Sequence, residues 1–330
     1  MINWLYDVEV SVATQSPADV RAAATKAFAI VLTRVTGLKE IPRNAMVSTA
    51  LRNPERFYAR YRFVQKARGI NDPVSGQPIL EVSFDPRAVQ DLVRSAALPI
   101  WSANRPSVLA WIVVEEDVPR LATSDDSSQW VGIIKARSRD RGLLLQFPLM
   151  DLADRERISS STVLGGFSEQ ILRASERYGA QYVLTARIWM DVGGLWSGAG
   201  GLMFEGRQTN FAYEGETRDA VCRKILDAVA DELVQRFVVF GLHTEGVNIV
   251  VSGIASVREY GSLLGYLQSL EFIDRVDVAE VSVDRIRMVI HTRSTLARLS
   301  ELLYSDGVLF RDTTRNSGLD SNHYIWQGEP

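Results

Sequence analysis

Between residues 247 and 311 the hydrophobic pattern switches repeatedly between the alternation of a strand and the three-to-four spacing of a helix, and this pattern most constrains the fold. Residues 247–254, 276–283, 286–291 and 308–311 read as strands, and residues 257–270 and 294–303 as helices. That order, β-α-β-β-α-β, is the split βαβ or ferredoxin-like plan. It predicts a four-stranded antiparallel sheet with both helices on one face. Leu263, Leu264, Leu267, Leu296, Leu299 and Leu303 should pack against that sheet. Beyond residue 312 the tail is polar and turn-rich up to Tyr324-Ile325-Trp326, which can dock on a domain or a partner.

A chain of 330 residues has room for two or three domains at about 100–200 residues each. Residues 5–12 alternate, with Tyr6, Val8, Val10 and Val12 on one face. Ser16 and Pro17 supply an N-cap and a first helical position for a helix over residues 17–35, and Gly37 suits its left-handed stop. Residues 56–68 and 79–84 pair as strands, and Asp85-Pro86 opens a helix. The first unit is therefore β-α-β-β-α. Residues 98–105 read as a linker to a middle unit. That unit has strands at 107–114, 143–147, 182–190, 196–204 and 207–213, and a long amphipathic helix over 217–239. The fold class is α+β, with three small α/β units in series: residues 1–97, 98–243 and the ferredoxin-like 244–312, followed by a tail at 313–330.

The chemistry available is narrow. Cys222 is the single cysteine, and a buried helical position makes it an inert thiol. His243, His291 and His323 are scattered and show no metal-ligand spacing. No cofactor or metal is expected. The glycine-rich run at residues 191–201 lies between strands and lacks the helix and lysine of a phosphate loop, so it reads as a hairpin turn and a closely packed strand. Arg137, Arg139 and Arg141 read as a solvated helix face. The carboxylate runs at residues 115–117 and 125–126 read as surface loops. No run of about 20 apolar residues is present for a membrane-spanning helix. The first strand begins at once, without a basic and apolar leader. The chain reads as a cytoplasmic protein, or as the mature form of an exported one.

Two features suit binding. Net charge is −3 overall, yet residues 1–97 hold 13 basic against nine acidic side chains, and they are the only basic unit. Arg56, Arg60, Arg62, Lys66 and Arg68 share one strand parity, while Phe57, Tyr61 and Phe63 take the other, a basic stripe backed by an aromatic core face. Such a stripe can contact phosphate, lipid headgroups or an acidic protein, or it can guard a sheet edge against aggregation. The acidic overall balance and the absence of stacking aromatics beside the cations argue against nucleic acid. Trp189 and Trp196 flank the glycine hairpin as partner anchors or as sheet cover.

Several short motifs carry a resemblance. Residues 5–10, residues 22–37, Asn53-Pro54 with the basic strand, Arg141-Gly142-Leu143, residues 147–151 and Tyr178-Gly179-Ala180 resemble an uncharacterised proteobacterial family, the domain of unknown function numbered twenty sixty-six. The likeness covers roughly residues 5–240. It implies a periplasmic location, and a partner that is a polytopic, permease-like protein of the inner membrane. The family has no known catalytic residues to carry over. The middle unit resembles the N-terminal α/β domain of TolB, and the string of small units resembles periplasmic assembly factors, at the level of fold alone. The function expected is that of a non-enzymatic periplasmic accessory or scaffold protein. A small-ligand-binding protein, or an enzyme without a sequence motif whose site lies between domains, is the alternative.

Overall fold

The computed structural model describes residues 3–65, 78–115, 117–239, 245–282, 285–305, 307–312 and 322–328. The chain is α+β and forms two compact units, one of Met1–Asn104 with Phe237–Pro330, the other of Arg105–Arg236.

The first unit begins with β1 (Asp7–Ser11), whose Val8 and Val10 are buried while the residues between them face solvent. Helix α1 (Pro17–Thr36) starts where expected: the Ser16 side chain accepts the backbone N–H of Asp19, and Gly37 stops the helix at φ 73°. The sequence reading missed α2 (Ala45–Arg52), capped by Asn44. Strand β2 (Tyr58–Gln65) follows a 3-10 turn, Pro54–Phe57, so Arg56 lies in the turn and not in the strand. Strand β3 (Pro78–Phe84) leads into α3 (Pro86–Ser95), capped by Asp85. The strand order β1-β3-β2 leaves β2 paired on one side among the described residues.

Residues 98–105 do not behave as a loose linker. Leu98, Ile100, Trp101, Ser102 and Ala103 are buried. Strand β4 (Ile100–Trp101) belongs to the first unit, and the chain then enters the second through β5 (Ser107–Glu115) and β6 (Pro119–Leu121). Next come α4 (Gln129–Asp140), β7 (Leu144–Gln146), α5 (Leu152–Arg157), α6 (Ser160–Leu164) and α7 (Ser168–Ser175). The unit closes with β8 (Tyr182–Met190), β9 (Trp196–Phe204), β10 (Arg207–Gly215) and α8 (Arg218–Phe237). Its sheet runs β10-β9-β8-β5-β6, and β7 also pairs with β5. Strand β5 is buried on both faces, as its unbroken apolar run requires. Leu109, Trp111 and Val113 cluster with Ile158, Val163, Ile171 and Ala174 on one side. Helix α8 seats on the other side, against Gly198 of β9.

The chain re-enters the first unit at β11 (Val238–Val239), which pairs antiparallel with β4. Then follow β12 (Glu245–Ser252), α9 (Val257–Ser269), β13 (Ile273–Val281), β14 (Arg285–Thr292), α10 (Leu296–Ser305), β15 (Leu309–Arg311) and β16 (His323–Trp326). The element order is as read, but the sheet is not a four-stranded antiparallel one. It has five strands, β13-β14-β12-β16-β15, because the tail strand inserts between the first and fourth strands of the plan. Strand β16 lies parallel to β12 and antiparallel to β15. Tyr324 and Trp326 explain the insertion: both are buried in the core with Leu263, Leu267, Leu299 and Leu303. Leu296 is exposed, contrary to its expected place in that core.

The two chain ends of this unit are joined by charge. The Glu271 carboxylate accepts hydrogen bonds from the Ser102 hydroxyl (2.8 Å) and the Ala103 N–H (3.1 Å). Asp274 lies between Arg94 (3.7 Å) and Arg293 (3.4 Å).

Candidate interaction surface

The β8–β9 hairpin is shaped by glycine. A Cβ on Gly198 would stand 2.5 Å from Val221 and 2.8 Å from Ile225, and one on Gly200 would stand 1.9 Å from the Thr185 carbonyl oxygen. Only bare backbone lets α8 seat on β9, and lets β9 run against β8 at this point. The glycine run is thus the closely packed strand that the sequence suggests.

At the far end of the hairpin the turn holds itself. The Asp191 N–H donates to the Leu195 carbonyl (2.8 Å). The Asp191 carboxylate accepts from Gly193 N–H (2.8 Å) and Leu195 N–H (2.9 Å). Gly194 takes φ 82°, which an L side chain rarely adopts. With its polar groups turned inward, the tip presents apolar side chains: Met190 is 53% exposed, Val192 112% and Leu195 40%. Exposed apolar side chains grouped on one turn make it a candidate contact surface.

Trp189 and Trp196 stand just behind the tip, each half-buried. The register pairs Trp189 with Ser197 and Met190 with Trp196, so the two indoles lie on opposite faces. Each sits under a guanidinium: Arg187 is 4.5 Å from the Trp189 ring centre, and Arg218 is 4.3 Å from that of Trp196. Arg187 also pairs with Glu115 at 2.7 Å. The arginines are the part of this arrangement that strand spacing did not reveal for Trp196, since Arg218 arrives from α8.

The basic stripe is electrostatically different from its sequence reading. Arg60 Nε donates to Ser83 Oγ at 3.1 Å, and Arg62 Nε to Glu81 at 2.5 Å. Cross-strand register puts Asp7 beside Ser83 and Glu9 beside Glu81. Two guanidiniums therefore share their face with three carboxylates from β1 and β3. Lys66 and Arg68 lie outside the described residues. The aromatic parity is not a closed core face: Phe57 and Tyr58 pack on the core, but Tyr61 and Phe63 are exposed, because α1 packs on β1 and β3 and stops short of the edge strand.

Two ionic clusters, each built on a buried member, organise the second unit. Asp154, fully buried, accepts from Met150 N–H (2.9 Å), Tyr178 hydroxyl (2.5 Å) and Arg177 (3.0 Å). The Tyr178 oxygen in turn accepts the Leu149 N–H (2.9 Å). Arg177 also grips Asp151 through two nitrogens, at 2.7 and 2.8 Å. These bonds hold Met150 at φ 54°, outside the usual range for a side-chain-bearing residue. Arg141, read as solvated, is buried: it pairs with Asp227 (2.9 Å) and Asp231 (2.6 Å) on α8. Arg137 reaches Asp219 at 3.2 Å. These networks lock helices and a loop; each carboxylate oxygen of Asp154 already has a partner.

The Arg177 clamp holds the Asp151 carboxyl down at about 2, with the Asp154 N–H adding to it. A carboxyl lowered from an ordinary 3.8 stabilises the fold above that pH and loses the effect as pH falls through about 2. The melting temperature of the wild type should therefore drop more steeply than that of Asp151→Asn between about pH 4 and about pH 2. Parallel curves would show that the clamp does not persist in solution. Burial pushes the Cys222 thiol up to about 12, with Asp219 adding to the effect, so it stays protonated at neutral pH and is a poor nucleophile.

Among the described residues no three His, Cys, Asp or Glu side chains come together as a metal site, and no helix is long and apolar enough to cross a membrane. His243 lies outside the described residues.

The molecule is thus an α+β chain of two compact units with an apolar hairpin tip on the second. The family described as a domain of unknown function (DUF8605) matches residues 1–102, about the first third of the chain and a different family number from the one the motifs suggest. No curated protein matches.

Proposed function

We propose that this protein works by binding, as a non-enzymatic accessory or scaffold subunit of the cell envelope that docks at the membrane beside an inner-membrane partner. The β8–β9 tip carries the reading: three exposed apolar side chains on a turn whose own polar groups are satisfied, with a tryptophan behind it on each face. A catalytic protrusion would present titratable groups, whereas this one presents Met190, Val192 and Leu195. The envelope placement is carried over from the motif resemblance alone; the family that matches residues 1–102 is a different one, described only as a domain of unknown function. The basic stripe is a weaker docking candidate, because carboxylates share its face.

The test is association of the full chain with membranes of the organism that encodes it. Met190→Ser/Val192→Ser/Leu195→Ser should lower sedimentation with membranes about tenfold. Its melting temperature should stay close to wild type, because exposed side chains contribute little packing. Equal sedimentation of variant and wild type would sink the reading.

One observation favours small-ligand binding as a second reading. Arg285, Arg287, His323 and Asn248 surround a concavity of about 560 Å3 on the open face of the five-stranded sheet. An anionic metabolite would suit it, although Glu280 already engages Arg287 at 3.2 Å.

A further inference from the structure

We infer that the surface the β8–β9 tip takes is the interface of a lipid bilayer with zwitterionic headgroups. This rests on the docking reading above and names the partner by its chemistry.

Side chains are ordered along the hairpin as chemical groups are ordered across a leaflet. Val192 and Leu195 lead, with Met190 on the same rung as Trp196, offering aliphatic and thioether surface suited to the upper acyl region. Trp189 and Trp196 follow, the residue type that accumulates at headgroup level because its body is apolar and its N–H is polar. Arg187 and Arg218 lie over those indoles, at the depth where phosphates begin. The Trp–Arg pair is repeated on both faces of the hairpin. A groove on a protein meets a hairpin on selected sides, whereas a planar interface surrounds it. Asp191, the one charged group of the turn, is folded onto two turn N–H groups, which limits the unpaired polar surface that insertion would dehydrate.

The surrounding charge selects the lipid. Strands β5 and β8 are parallel, with Val114 level with Ile188, so the β5–β6 turn ends on the tip side of the sheet. It brings Glu115 and Asp117, and Val118 there is exposed as well. Among the described residues, these carboxylates with Asp191 and with Glu214, which pairs with Ser197, are set against Arg187, Arg218 and Lys224, whose ammonium donates to the Glu214 carbonyl at 2.7 Å. With its charges close to balance, this end gains little from an anionic surface over a zwitterionic one.

The full chain should be mixed with protein-free phosphatidylcholine vesicles, with and without phosphatidylglycerol, and floated. Wild type should float with phosphatidylcholine, and phosphatidylglycerol should raise binding by less than about twofold at low salt. The Met190→Ser/Val192→Ser/Leu195→Ser variant should bind about tenfold less. Val192→Asp alone, at a fully exposed position with no packing to lose, serves should the triple variant not fold. Acyl chains carrying bromine should quench wild-type fluorescence. Trp101, Trp111, Trp130 and Trp326 are buried and the half-buried Trp4 belongs to the first unit, so most of the quenched signal should be lost in Trp189→Phe/Trp196→Phe. If wild type ignores protein-free vesicles yet sediments with native membranes through the same tip, the partner is a protein: this inference falls and the docking reading stands. If it associates with neither, both fall. Binding that requires phosphatidylglycerol would overturn the choice of lipid.

Discussion

Asp154→Ala should unfold the second unit on the order of 10 °C below wild type, followed by circular dichroism of the full chain. The side chain has no exposure and three donors aim at it: Met150 N–H, Tyr178 hydroxyl and Arg177. Removing it leaves the Met150 N–H and the Tyr178 hydroxyl, both on half-buried residues, without their acceptor, and takes away the buried half of the Arg177 pair. Breaking a buried pair from one side costs about 3–5 kcal/mol, because the surviving groups stay desolvated. At roughly 3–4 °C per kcal/mol for a unit of this size, the shift is readily measured. Arg177 retains Asp151, which places the loss at the lower end of that range. Asp151→Ala removes an exposed partner and a helix cap, and should lower the melting temperature less. If Asp154→Ala melts no lower than Asp151→Ala, the buried network does not hold the loop at Met150.

Such a network was invisible in the sequence. Arg137, Arg139 and Arg141 look like a solvated helix face, and nothing in the spacing of Asp151 and Asp154 points to Arg177. Local pattern reports how polar a segment is, and says nothing about which distant groups meet it: Arg177 is 23 residues from Asp154, and Asp227 is 86 from Arg141. The same limit explains β16. Its apolar triplet predicted docking, but its slot between β12 and β15 is a long-range pairing that depends on Tyr324 and Trp326 filling the core under α9 and α10.

Where structure is set locally, the sequence was readable. Ser16-Pro17 and Gly37 bound α1, Asp85-Pro86 opens α3, and Glu205-Gly206 takes positive φ at both residues to turn β9 into β10. Short helices such as α2, α5 and α6 were missed because one or two turns give too little periodicity to register. At the tip, spacing singled out Trp189 and Trp196. The exposure of Met190, Val192 and Leu195 is a property of where β8 and β9 end relative to the rest of the sheet, which alternation alone does not reveal.

Glycine to alanine should have opposite signs at two positions of the same unit. At Gly200 the added Cβ would stand 1.9 Å from the Thr185 oxygen and 2.8 Å from the Ala186 Cα. Both are backbone atoms of the paired strand, so no rotamer change relieves the clash; β8 and β9 must part. Overpacking of a rigid contact costs about 1–3 kcal/mol and occasionally more, and a backbone-to-backbone clash belongs at or above the top of that range. Gly200→Ala should therefore lower the urea midpoint of the second unit strongly. Because this strand pair leads to the tip, it should weaken membrane association as well, through the position of Trp196. Gly132, on the exposed face of α4, has nothing within 4 Å of its added Cβ and ordinary helical backbone. Alanine there removes the helix penalty of glycine and should stabilise by about 0.5–1 kcal/mol, leaving association unchanged. If Gly200→Ala is tolerated as well as Gly132→Ala, β8 and β9 are not in the close contact that positions the tip.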